Sequence, residues 1–299
     1  MSRVSRSQKS LSTKEWRQIC QDKGPGRFYI DWTDYPPRVL SIYFTKCFIS
    51  LGISANQVTM LSLGVGILIA VLIGLGEPLF MLIAGILFYI LQVLDCSDGE
   101  IARYHRRQSY TGFYLDRMVH AIVYPVVFSA AGISVFKHTG IIWDIIIAMI
   151  AASSFLLLRI SRSYIYSSPL ESILYSKVKP MESALNYEDL HESGRSPASK
   201  VEEPGFLRKF PLLGFLVDLV IVNEFAIVLW IWVASAVSLS SLIFGHPSFL
   251  QEILRPLIWL YALCTPFATG YVIWSTLKSH LPDSIALSLK GKPKDKKGD

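Results

Sequence analysis

Charge is scarce in this chain. Of its 299 residues only 17% are Asp, Glu, Lys or Arg, while 52% are hydrophobic. A soluble domain carries about 25% charge, so the imbalance excludes an ordinary soluble domain and points to a membrane protein. Cysteine is scarcer still. Cys20, Cys47, Cys96 and Cys264 show no CxxC spacing and no histidine partners at zinc-site intervals, so neither a disulfide framework nor a structural metal is expected. The opening MSRVSRSQKS is polar and basic, and no long apolar run occurs before residue 50. A cleaved secretory signal is therefore not expected. There is no internal repeat, and the net charge of +6 is dispersed between apolar stretches. Nucleic acid is not an expected partner.

What the chain has in quantity is apolar sequence of membrane-spanning length. A helix needs about 20 mostly apolar residues to cross the hydrocarbon core. Six stretches qualify: Val58–Leu75, Pro78–Leu94, Met118–Phe136, Thr139–Leu158, Leu219–Leu242 and Leu254–Leu277. Six spans with both termini in the cytoplasm leave only Arg117, Lys137 and Arg255, of 29 basic residues, off the cytoplasmic flanks. That asymmetry follows the positive-inside rule, and basic flanks also favour anionic headgroups among the membrane lipids. The expected fold is an all-α integral membrane protein, multi-pass, in a bacterial inner membrane or an endomembrane.

Three regions frame the spans: a basic cytosolic arm (1–37), the membrane domain (38–277) and a basic cytosolic tail (278–299). Within the domain, Arg38–Ile49 places Arg38, Ser41, Thr45 and Lys46 at helical spacing with the rest apolar. Two readings stand: an amphipathic helix in the membrane interface, or one packed on protein. The stretch 166–210, with SGRSPASKVEEPG at its centre, is expected to be a long polar cytosolic loop.

The segment Leu94–Pro125 carries the chemistry. Asp95 and Asp98 are three residues apart, so a helix puts both on one face. Asp116 and His120 are four apart at the start of the next span. A short connection makes these helices adjacent and antiparallel, so the four side chains converge at the cytoplasmic membrane surface. Three carboxylates that close repel one another unless a cation sits among them, and hard divalent ions take such oxygen ligands. Ionisable groups at membrane depth mark function. Gly99, Ala102 and Gly112 allow close backbone approach, and Arg103 suits bidentate contact with a phosphate.

The pattern Asp95-x2-Asp98-Gly99-x2-Ala102-Arg103-x8-Gly112-x3-Asp116-x3-His120 resembles the signature of the CDP-alcohol phosphotransferases. Seven of its eight fixed residues are present at the family spacing, and the likeness covers roughly residues 38–277. In the family the last position is also Asp. Ala55-Asn56-Gln57-Val58-Thr59 looks like the family's Pro-Asn-x-x-Thr motif, although Asn and Thr at a helix start also serve as caps.

The resemblance implies an enzyme that moves a phospho-alcohol group from a CDP-alcohol to an acceptor hydroxyl on a lipid, polyol or glycan, releasing CMP at the cytoplasmic face. Asp95, Asp98 and Asp116 would hold two divalent ions, commonly Mg²⁺ or Mn²⁺. Asp98, Gly99, Ala102, Arg103, Gly112, Asn56 and Thr59 would form the CDP site, and a homodimer is implied. His120 has an ordinary pKa near about 6.5, which suits a general base, but it is a poor Mg²⁺ ligand. The base role with an altered second metal site is one reading; simple packing is the other. Arg159, Arg162, Asn223 and Glu224 are acceptor-site candidates, with headgroup snorkelling the alternative for the arginines. Two rival functions are a non-catalytic nucleotide- or lipid-binding protein and a small transporter. The clustering of polar residues at one face disfavours the transporter.

Overall fold

The computed structural model describes residues 12–21, 35–176, 224–245 and 249–279. All regular structure among them is helical: α1 (Thr13–Gln21), α2 (Tyr35–Ser50), α3 (Ala55–Leu75), α4 (Pro78–Tyr104), α5 (Tyr110–Thr139), α6 (Ile142–Ser176), α7 (Glu224–Phe244) and α8 (Phe249–Ser279). Five of these, α3, α4, α5, α6 and α8, are long and apolar enough to cross a membrane. The sixth expected stretch, Leu219–Leu242, begins outside the described residues, and α7 carries the remainder.

Local chemistry sets the helix boundaries. At the start of α3 the Ser54 N–H donates to Gln57 Oε1 at 2.8 Å, half of a capping box. The helix ends on Gly76, whose left-handed φ of 81° a side chain would strain. Pro78 then opens α4 at a position where its missing N–H costs nothing. Ser109 caps α5, accepting the Gly112 N–H at 3.0 Å, and Gly140 closes that helix with φ 68°.

The chain divides into two compact units, one comprising Met1–Ala152 with Glu224–Trp259 and the other Ser153–Asn223 with Leu260–Asp299. In the first, α3 packs against α4 and α5, and α7 packs against α4. Small residues make this possible: a Cβ on Gly66 would collide with Val123, and one on Gly85 with Ser235. In the second, Leu158, Ile165 and Val272 form a buried cluster, and Thr269 Oγ1 donates to the Ser154 carbonyl at 3.2 Å.

The three basic residues left off the expected cytoplasmic flanks have partners. Arg255 Nε donates to Asp144 Oδ1 at 2.9 Å, and Trp259 Nε1 donates to the same oxygen at 3.3 Å. Asp144 is 1% exposed, so this pair ties the start of α6 to α8. Lys137 caps α3 by donating to the Gly74 carbonyl at 2.7 Å. Arg117 lies over the Phe113 ring, 4.4 Å from its centroid.

Two expectations change. Helix α6 runs to Ser176, into the stretch expected to be loop from residue 166. Leu170, Ile173 and Leu174 sit at helical spacing there and extend the helix; residues 177–210 lie outside the described chain. Helix α2 packs on protein, one of the two readings of Arg38–Ile49. Its hydroxyl face, Ser41 and Thr45, is buried against α4, while Leu40, Tyr43 and Phe44 are exposed. A helix that turns polar groups inward and apolar groups outward fits a lipid surroundings.

Candidate metal and nucleotide site

Helix α4 extends well past its apolar stretch to Tyr104, so Asp95, Asp98, Gly99, Ala102 and Arg103 all lie on helical backbone. Helix α5 begins at Tyr110, six residues before Asp116. The connection of residues 105–109 turns with Arg106 at φ 51° and sends α5 back beside α4. The convergence expected from spacing is therefore present.

Asp95, Asp116 and His120 each offer a ligand atom, and these atoms lie within 4.8 Å of one another. His120 Nε2 is 2.9 Å from Asp95 Oδ1 and 3.2 Å from Asp116 Oδ1. The two carboxylates are about 40% exposed and the imidazole 17%, so the cluster opens on one side. Tyr124, one turn along, stacks on the imidazole with ring centroids 5.6 Å apart and planes 13° from parallel. One face of His120 is thus fixed by packing while Nε2 points at the acids. Two carboxylates and an imidazole are a donor set that fits a divalent cation, and the nitrogen suits ions softer than Mg²⁺.

Asp98 stands outside that three-residue group. It is buried, and its Oδ2 accepts a hydrogen bond from Thr59 Oγ1 at 2.6 Å. Thr59 is itself buried on the first turns of α3. The Asn-x-x-Thr segment and the aspartate motif therefore meet in space. A Cβ on Gly112 would come within 3.3 Å of Asn56 Oδ1, a tight contact where the N-terminal ends of α3 and α5 meet. A Cβ on Gly99 would lie 3.2 Å from Arg103 Nη1. The Arg103 guanidinium folds back along α4, and its Nε donates to the backbone carbonyl of Cys20. Ala102 sits in the last turn, its carbonyl accepting the Arg107 N–H at 2.9 Å.

Of the four acceptor candidates, Arg159 and Arg162 have described side chains. Arg159 and Arg162 lie on α6 within the second unit. Asn223 falls outside the described residues, as does the side chain of Glu224, the first residue of α7. Sequence reasoning missed Glu100, which is fully buried and accepts hydrogen bonds from Ser41, Thr45 and Gln21. The signal was available: a third acid in LDCSDGEIAR, and two hydroxyls four residues apart on one face of α2.

Residues 53–184 match the family model for CDP-alcohol phosphatidyltransferase. The matched segment contains all the motif residues and Thr59, and it bears out the resemblance read from their spacing. That family consists of membrane transferases of phospho-alcohol groups and generally uses a divalent metal. No curated protein matches the chain.

Proposed function

From the match of residues 53–184 to the CDP-alcohol phosphatidyltransferase family, we propose that this protein transfers a phospho-alcohol group from a CDP-alcohol to an acceptor hydroxyl. The observation that carries the proposal is the meeting of three helices at the motif. Asp95 and Asp98 come from α4, Asp116 and His120 from α5, and Thr59 from α3.

Asp95 and Asp116, with Asp98 beside them, would hold the divalent cation. Such a cation would supply charge neutralisation at the pyrophosphate and the transferring group. Thr59 fixes the Asp98 carboxylate, and Arg103 with the glycines at 99 and 112 forms the nucleotide side. The acceptor oxygen forms a bond to the β-phosphorus, the bond from that phosphorus to the bridging oxygen breaks, and CMP leaves. His120 takes the acceptor's proton at Nε2, with the ring held by Tyr124. Packing alone is the competing role for His120, favoured by that stack on Tyr124; substitution separates the two. The protein works as a homodimer with its site at the cytoplasmic face, and Mn²⁺ serves it better than Mg²⁺.

The lipid enters either as donor or as acceptor. Purified protein incubated with a panel of CDP-alcohols and hydroxyl acceptors, with products identified by mass spectrometry, decides which. A mass equal to acceptor plus phospho-alcohol, appearing together with CMP, supports transfer. Nucleotide binding without any product across the panel supports the non-catalytic alternative instead.

A further inference from the structure

Glu100 follows Gly99 in the motif but lies about 140° round α4 from Asp95, at 100° per residue. Its carboxylate is fully buried. Ser41 Oγ donates to Oε1 at 2.5 Å, Gln21 Nε2 to Oε1 at 3.0 Å and Thr45 Oγ1 to Oε2 at 2.7 Å. A buried acid in such surroundings is costly unless its oxygens are satisfied. Here two other helices supply the donors.

One of those helices is α1, nine residues long and too short to be stable by itself. Its position depends on what it docks against. Trp16 and Cys20 are buried, and Trp16 stacks on Tyr104 with centroids 4.8 Å apart. Lys46 Nζ donates to Thr13 Oγ1 at 3.1 Å. The last turn of α1 then meets two α4 residues three apart: Gln21 binds Glu100, and the Cys20 carbonyl receives Arg103 Nε.

We propose that Glu100 is a positioning residue. By gathering Gln21, Ser41 and Thr45 it seats the C-terminal turn of α1 on α4, and so fixes the Arg103 guanidinium for a nucleotide phosphate. The consequence for nucleotide rests on the transferase reading; the seating of α1 does not.

Cys20 is a built-in reporter of that seating. Its side chain is 0% exposed, and burial pushes the thiol up to about 12, so alkylation is slow while α1 is docked. Cys47 is exposed and serves as the internal reference. The experiment uses the full chain in detergent with Mn²⁺, reads alkylation of each cysteine by peptide mass spectrometry, and measures affinity for CDP. Glu100→Ala should speed Cys20 alkylation at least about tenfold and weaken CDP by a similar factor, the scale of a lost hydrogen bond to a charged group. Cys47 alkylation and Mn²⁺ affinity should stay within about twofold. Glu100→Gln keeps an acceptor oxygen and should recover most of both effects. If Glu100→Ala does not fold, Gln21→Ala removes only the α1 donor and should also release Cys20. Cys20 staying protected in these variants overturns the proposal, and so does CDP affinity unchanged once Cys20 is released. A wild type that binds no CDP contradicts the transferase reading, and the Cys20 rates alone then decide the role of Glu100.

Discussion

His120 Nε2 sits between two carboxylates, 2.9 and 3.2 Å away, where the family pattern has a fourth aspartate. An imidazole there offers nitrogen to a metal, which an aspartate cannot. If His120 is the base, His120→Ala should lower kcat by about 10²–10⁴-fold, the usual scale of general-base loss. His120→Asp should restore turnover and shift the metal preference from Mn²⁺ toward Mg²⁺. Near-normal turnover of His120→Ala would leave the side chain a packing role on Tyr124. Asp98 is a second case at this scale. Its place in the motif was legible, because spacing alone puts it on the face of Asp95. Its bond to Thr59 was not, because the pairing joins residues 39 positions apart on different helices. Thr59→Val should therefore impair CDP binding while leaving the three-residue Asp95, Asp116 and His120 group intact.

At the scale of elements, helix pairs are set by small residues and by one buried ion pair. Gly66 lies against Val123 with no room for a methyl group. Gly66→Ala should force α3 and α5 apart and cost about 1–3 kcal/mol, read as a lowered thermal midpoint. Asp144→Ala removes the partner of Arg255 and Trp259 at the start of α6. Removing one partner of a buried pair costs about 3–5 kcal/mol; Arg255 is 38% exposed, so the loss belongs at or below the lower end. Turnover per folded molecule should not change, since Asp144 is remote in sequence and helix end from the motif. Apolar length made α3, α4, α5 and α6 legible as helices. The sequence reading did not show that Asp144 and Arg255 pair, because neither residue is exceptional by itself. It also stopped α6 short, because the polar residues after 160 masked the spacing of Leu170, Ile173 and Leu174.

For the whole molecule, the positive-inside rule leads one to expect both termini in the cytoplasm, which requires an even number of spans. Five helices qualify among the described residues, and α7 makes the even number if it also crosses. Reporter fusions to each terminus should both show a cytoplasmic signal; opposite signals would mean that α7 does not cross. The charge pattern is a property of the entire chain and is legible in sequence, whereas the seating of α1 over α4 depends on tertiary contacts of Trp16, Cys20 and Glu100 and is not. The transfer reaction is tested most directly by CMP release. Purified protein given its CDP-alcohol and acceptor should release CMP with Mn²⁺, stop when the metal is chelated, and fall by at least about 100-fold in Asp98→Asn at unchanged thermal stability. CMP release that persists without divalent metal, or at the wild-type rate in Asp98→Asn, would contradict metal-assisted phospho-alcohol transfer at this site.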